Sequence, residues 1–310
     1  MPVGRPATLV LALTALALAA CTTPQSSALI NAPGALPLQA EVTEVPFFPQ
    51  EEFYCGPAAL ATVLVWSGVA ADPEALAARV YTPGRHGTLQ NDILAGARRE
   101  GRLAVAVSSL RDLMTEIAAG HPVLVFENLA FAWYPQWHYA VVVAYDLERR
   151  EITLRSGRDA RRVTALSTFE RTWGRGDDWA LVVLEPHDLP PTGSAKTIAD
   201  AAAGLERAGR AREAGVTYAA MLTRWPDSYV ALMGLGNVGY ATGDLNAAET
   251  AFRRAIAARP ERAEARNNLA YVLAADGRRE EAVSAAQKAI DLAPGEDRPY
   301  CDTLREISEI

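Results

Sequence analysis

Cysteine and histidine are scarce in this chain, three of the first and four of the second among 310 residues. None of them pair as C-x2-C or H-E-x-x-H, so the spacing offers no metal site. Nothing in the pattern calls for a cofactor either: "GRHGTLQND" lacks the preceding strand and the Lys-Ser/Thr of a phosphate loop. Positive charge is also short. A formal net charge of -7 argues against general affinity for nucleic acid or anionic lipid, because both would repel the chain at long range. The longest apolar run at the start, Leu9 to Ala20, is too short for a membrane-spanning helix. What the sequence does have is apolar bulk: half of its residues, enough for two ordinary domains with a sizeable core.

Residues 1–20 read as an export signal, with basic Arg5, the apolar run and small residues before Cys21. "L-A-A-C" resembles the lipobox of bacterial lipoproteins. The resemblance implies a diacylglycerol on the Cys21 thiol, cleavage before it and acylation of the new amino group. Residues 21–40 are then a lipidated N-terminus and tether, with the low-structure "TTPQSS" following the lipid. Thr22, not an aspartate, follows the cysteine, and the sorting rule of such lipoproteins places the chain at the outer membrane, facing the periplasm. With Cys21 acylated, only Cys55 and Cys301 remain, which is no disulfide framework.

Residues 41–186 change pattern midway. Gly56 to Ser67 reads as an apolar helix, Asp72 to Val80 opens with an Asp cap and a first-turn Pro, and Leu89 to Glu100 continues in helical period. Short Val- and Ile-rich runs follow at Pro122–Asn128, His138–Asp146, Glu151–Gly157 and Trp179–Pro186. Helices first and strands afterwards predict an α+β domain with an antiparallel sheet packed on a leading helix.

Pro, Gly and Ser concentrate at residues 187–195, which reads as an exposed linker. Residues 196–310 are Ala-rich and repeat with a period of thirty-four: Leu235 recurs as Leu269, Gly243 as Gly277, Ala248 as Ala282, Ala255 as Ala289 and Pro260 as Pro294. One period upstream stand Gly209, Ala214, Tyr218, Met221 and Pro226. This resembles the tetratricopeptide repeat, an all-α array of helix pairs that needs about three units for stability. Arg298 to Ile310 is predicted as a capping helix, in which Cys301 is a small packing residue.

The chemistry is expected at "QEEFYCGPAAL". A thiol attacks as thiolate, and a helix N-terminus beside an imidazole lowers its pKa. Cys55 precedes a helical run, Gly56 leaves room for substrate, and first-turn N–H groups face the space where an oxyanion forms. Gln50 offers a second oxyanion donor. Of the histidines, His187 falls in the linker, His121 in the turn "AGHPV" and His86 in a loop. His138, which opens the strand "HYAVVVAYD" after the aromatic loop "AWYPQW", is the candidate base, with Trp133 and Trp137 as walls of a substrate cleft.

These blocks, "Q-x4-C-G-P-A-A-L", "W-H-Y-A-V-V-V-A-Y-D" and "I-T-L-R-S-G…F-E-R-T-W", resemble the bacteriocin-processing, double-glycine type of cysteine peptidase from about Val45 to Leu184. The resemblance implies a papain-like fold with Cys55 as nucleophile, His138 as base and Gln50 as oxyanion donor. Two departures stand out. Four residues separate Gln50 from Cys55 where the family commonly has five, and Ser156 occupies the place of the family's orienting aspartate. Asp159, Ser156 and Asn128 are the alternatives for the third residue, as is a Cys-His dyad.

The sequence thus predicts a lipid-anchored cysteine peptidase that hydrolyses a peptide or small protein through a thioester, with the repeats binding a protein partner or the substrate. Two other readings remain: an inactive peptidase-like scaffold for protein-protein interaction, and acyl or amide transfer by the same thiol.

Overall fold

The computed structural model describes residues 23–49, 54–85, 87–295 and 298–309. Among them an α+β domain precedes an all-helical array, the class the sequence predicts. Helix α1 spans Pro24–Asn31 and α2 spans Cys55–Trp66. Every residue of α2 from Gly56 to Leu64 is buried. Such a helix has no polar face and must be enclosed on all sides. Burying each Leu or Val side chain contributes about 1.5–3 kcal/mol, and Leu60, Val63 and Leu64 are wholly buried. Helices α3 (Pro73–Val80) and α4 (Gln90–Arg99) enclose it from one side. Asp72 caps α3 by accepting the Ala75 N–H at 2.9 Å, and Pro73 takes the position where no N–H is needed.

The other side is an antiparallel sheet of seven strands: β1 (Gln39–Glu41), β4 (Leu103–Val107), β5 (Val123–Asn128), β6 (Trp137–Asp146), β7 (Glu151–Ser156), β8 (Asp159–Ala165) and β9 (Ala180–Leu184). Their order is β4-β9-β5-β6-β7-β8, and β1 pairs with the far end of β6. A separate hairpin joins β2 (Tyr81–Thr82) to β3 (Gly87–Thr88). In β6 each residue from Tyr139 to Tyr145 is buried, so both faces of this strand are covered. Helices α5 (Leu110–Ala118) and α6 (Leu166–Gly174) complete the domain. Register places His138 opposite Glu127 of β5, and Val142 opposite Leu154 of β7.

Two expectations are corrected. Most of the segment expected to be a tether, residues 21–40, is part of the fold: Gln25 and Ser26 donate their backbone N–H groups to the buried Glu170 carboxylate at 2.9 and 2.7 Å, and Leu29 enters the core. An acidic side chain at the start of α1 satisfies N–H groups that the helix itself leaves unpaired, which is why the polar "TPQSS" folds. The segment expected to be an exposed linker, residues 187–195, is docked as well. Pro190 and Gly193 are buried, and Thr192 N–H donates to Glu116 at 3.0 Å. Glu116 also lies 2.8 Å from His121 Nδ1, whose Nε2 is 3.3 Å from Asp188. Burial works against a charge on His121, but hydrogen bonds to Asp188 and Glu116 outweigh it and hold the imidazolium up to about 9.

The array consists of helix pairs α7 (Ala195–Arg207) with α8 (Ala211–Arg224), α9 (Tyr229–Thr242) with α10 (Leu245–Ala258), and α11 (Ala263–Ala275) with α12 (Arg279–Leu292), closed by α13 (Arg298–Glu309). Gly209, Gly243 and Gly277 take φ of +75°, +81° and +78° in the three inter-helix turns, a left-handed conformation that explains their recurrence. Small residues recur where a ring needs space: a Cβ on Gly234 would strike the Tyr218 ring, and one on Gly236 the Phe252 ring. The first pair is not a separate body. Ile198, Ala202, Leu205, Tyr218 and Met221 share one core with Leu103 and Leu184 of the sheet. Cys301, expected to pack inside α13, is exposed instead; Thr303 and Ile307 carry the buried face of that helix.

A charge clamp at the domain junction should be visible in melting curves. Because the folded-state pKa of His121 is raised from 6.5 to about 9, its stabilisation is complete below pH 6.5 and disappears as pH rises through 9. The melting temperature is expected to fall across that window in the native chain, by an amount corresponding to at most about 3 kcal/mol. His121→Gln is expected to be less stable at pH 6 and to lose most of this pH dependence. Equal slopes in both proteins would remove the charge from the junction.

Candidate active site

Cys55 is the first residue of α2, directly after Tyr54, and lies under β6. Three backbone N–H groups face its sulfur, those of Tyr139, Gly56 and Cys55 itself. The first is the amide joining His138 to Tyr139, so the thiol and the candidate base converge on one peptide bond although eighty-three positions apart in the chain. The expected lowering of the thiol pKa is overturned. Burial pushes it up and outweighs the three donors, so Cys55 is a neutral thiol at rest.

The second departure concerns Gly56. A Cβ there would lie 2.6 Å from Thr88 Cβ and Oγ1, so the space expected for substrate is taken by β3. Thr88 in turn accepts the Tyr139 phenol on its carbonyl oxygen at 3.0 Å. Gly56 therefore lets β3 close over α2 and lock the strand that carries His138.

Ring atom Nε2 of His138 lies 2.9 Å from Ser156 Oγ. Of the alternatives for the third residue, Ser156 is the one that reaches the ring. Asp159 opens β8 opposite Ser156 in register and is exposed. Asn128 is occupied by the next loop: its Oδ1 accepts the N–H groups of Ala130 and Gln136, and its Nδ2 donates to Phe131 O. Gln50, Cys21 and His86 lie outside the described residues. His187 is exposed beside Glu185, and His121 belongs to the junction.

Arg162 was not singled out by sequence and matters here. Its Nη1 donates to Ser156 Oγ at 3.3 Å. Burial pushes the His138 imidazolium down to about 4, with the Arg162 charge adding to the effect. The site at rest thus pairs a neutral thiol with a neutral imidazole. An aspartate in the place of Ser156 would accept Nε2–H and nothing else, which fixes Nδ1 as the basic nitrogen. Serine either accepts or donates, so it holds the ring without fixing the tautomer. Glu127, the cross-strand neighbour of His138, is the other residue missed. It accepts from Thr172 Oγ1 at 2.5 Å, and burial raises its pKa against the pull of Thr172, Arg162 and Arg175. Only the strand register, which sequence does not state, could have found it.

The two tryptophans expected to line a cleft are divided. Trp137 stacks on Phe126 with centroids 5.1 Å apart, next to the Tyr139 ring. Trp133 stands at the tip of the loop and stacks on Phe131. Tyr54, which directly precedes Cys55, stacks flat on Tyr81 at 5.3 Å. Among the described residues no group of three or more His, Cys, Asp or Glu is arranged to hold a metal.

Known proteins resemble the two parts separately. Residues 42–180 match the Peptidase_C39 like family, and residues 197–254 and 236–297 match the tetratricopeptide repeat. Among solved structures, a C39-like peptidase from Bacillus anthracis is 17% identical, with 47% of this chain and 97% of that one covered and a TM-score of 0.42. The peptidase domain of Streptococcus ComA, a bifunctional ABC transporter of a quorum-sensing pathway, is 20% identical over 46% of this chain and 98% of its own, with a TM-score of 0.37. The Thermobaculum terrenum O-GlcNAc transferase is 28% identical over 36% of this chain but 21% of its own length, with a TM-score of 0.34. No curated protein matches the sequence. The chain therefore joins a Peptidase_C39-like domain to a tetratricopeptide-repeat domain.

Proposed function

We propose that the first domain is a cysteine peptidase acting on a peptide or small protein, and that the repeats bind the substrate or a protein partner. The observation that carries this reading is the arrangement around His138. Its Nε2 is engaged by Ser156 at 2.9 Å while the sulfur of Cys55 is held at the adjoining peptide bond, so in the tautomer whose Nε2–H donates to Ser156, Nδ1 is the nitrogen for the thiol proton. Cys55 transfers that proton to His138 as its sulfur bonds to the scissile carbonyl carbon. The oxyanion is held by the Cys55 N–H, with Gln50 as the second donor suggested by the family pattern. The imidazolium gives the proton to the leaving amine. Water then loses a proton to His138 as it attacks the thioester, and the thiolate leaves with that proton.

Arg162 favours a second reading. A guanidinium behind Ser156, which stands where the family has an acid, disfavours the imidazolium on which both steps depend. In that case the domain is an inactive peptidase-like scaffold for protein-protein interaction, and the repeats are the working part. We also read Cys21 as the lipid-attachment residue, with the chain anchored at the outer membrane and facing the periplasm.

Three measurements separate peptidase from scaffold. Cleavage of a peptide library should be abolished in Cys55→Ala and reduced by a factor of about 10²–10⁴ in His138→Ala. The acid limb of kcat/KM is expected near pH 4, where His138 protonates in the free enzyme, and not near 6.5. In Ser156→Asp the limb should move to higher pH, since a carboxylate favours the imidazolium, and kcat/KM should rise about tenfold or more. A protein that cleaves nothing, and whose Cys55 reacts with iodoacetamide equally well in the presence and absence of His138, is the scaffold.

A further inference from the structure

The loop between β5 and β6 presents three large rings to solvent. Phe131 is 63% exposed, Trp133 82% and Tyr134 71%. They form a stack of their own: Phe131 and Trp133 lie 5.5 Å apart and nearly parallel, and Tyr134 is 6.1 Å from Trp133. Trp137, the residue before His138, belongs to a different stack, on Phe126. The loop is ordered by its own polar contacts, the Asn128 side chain bonding Ala130, Gln136 and Phe131, and a bridge joining Phe131 to Tyr134. A rigid tip of three outward rings leaves much apolar area in water. Such a tip is already shaped for a partner, since little ordering is lost on contact.

Its position indicates the partner. Arg175, the C-cap of α6, donates from Nε and Nη2 to the carbonyl of Asn128 at 3.2 and 3.0 Å, which fastens the base of the loop to the end of that helix. Glu170 of the same helix holds the first turn of α1 through Gln25 and Ser26. Four residues separate these attachments, a rise of about 7.5 Å along the helix axis. The residues before Thr23 include the apolar run Leu9–Ala20 and Cys21. From Cys21 to Thr23 the chain spans at most about 7 Å. An anchor at Cys21 therefore holds the folded domain close against the lipid, with no free tether, and does so beside α6. Exposed Arg171 on that helix suits the phosphate level of a bilayer.

We infer that the tip Phe131–Trp133–Tyr134 enters the headgroup region of the bilayer beside the N-terminal anchor, as a second membrane contact that fixes the orientation of the domain. Tryptophan and tyrosine favour this zone because their rings are apolar and their N–H and O–H groups keep polar partners there. The net charge of -7 is no obstacle, because the contact depends on rings and not on anionic lipid. The inference rests on the anchoring of Cys21.

The test uses the full lipidated chain with vesicles of phosphatidylcholine and phosphatidylethanolamine carrying brominated acyl chains, read by flotation and by tryptophan quenching. Flotation together with quenching that is lost in Trp133→Phe and retained in Trp137→Phe is the expected result. Flotation with quenching unaffected by Trp133→Phe overturns the second contact and leaves the anchor intact. Failure to float overturns both. If Trp133→Ala raises KM for a cleaved peptide while quenching in Trp133→Phe equals that of the native chain, the tip is a peptide platform, and the membrane contact is wrong.

Discussion

A helix with no polar face governs the first domain. Because every residue of α2 from Gly56 to Leu64 is buried, the sheet, two helices and a short hairpin must close over it, and its position cannot vary without opening the core. Cys55 is the first residue of that helix and inherits its fixity. The same closure that presents the sulfur to the amide after His138 also removes water from it, so placement and a raised thiol pKa have one cause. The thiol and the imidazole rest as neutral partners, and any charge separation between them has to be met by groups close to the ring.

What stands close to the ring is a departure from the family pattern. Ser156 Oγ lies 2.9 Å from the His138 ring, and Arg162 reaches the same hydroxyl from the next strand. Buried Glu127 on the opposite neighbour lies within the influence of Arg162 and Arg175. Three strands thus contribute one polar residue each to the surroundings of His138: a neutral hydroxyl, a guanidinium, and a carboxyl whose pKa burial raises. A serine with a guanidinium behind it is a different electrostatic solution from a lone carboxylate, and it weakens the stabilisation of an imidazolium.

Much of this was legible from residues alone, for identifiable reasons. The apolar run after Cys55, the Val-rich strand after His138 and the period of thirty-four are repeated, strongly patterned signals, and the elements they predict are present. The glycine turns recur because one backbone conformation recurs. Strand β8 was not legible, because "DARRVTA" shows neither an apolar run nor alternation and is mostly exposed, and with it Arg162 escaped notice. Gly56 was misassigned for another reason: its neighbour Thr88 is thirty-two positions away, and only packing reveals that the space is filled. The polar starts of α1 and of the junction segment looked like loose chain because their partners, Glu170 and Glu116, are remote in sequence.

The shared core has a consequence for how the molecule can be divided. Strand β4 forms one margin of the sheet, and α7 lies against it, so Leu103 and Leu184 are sealed by side chains from the first repeat. A fragment ending where the composition changes, near Pro186, would strip that seal and present a bare strand to its neighbours in solution. Cutting after Arg224 keeps α7 and α8 but removes Ala231 and Val238 of α9, which belong to the same core. The physically coherent unit is the sheet domain plus α7, α8 and α9, and the helices after them bury a second core of their own around Phe252 and Leu273.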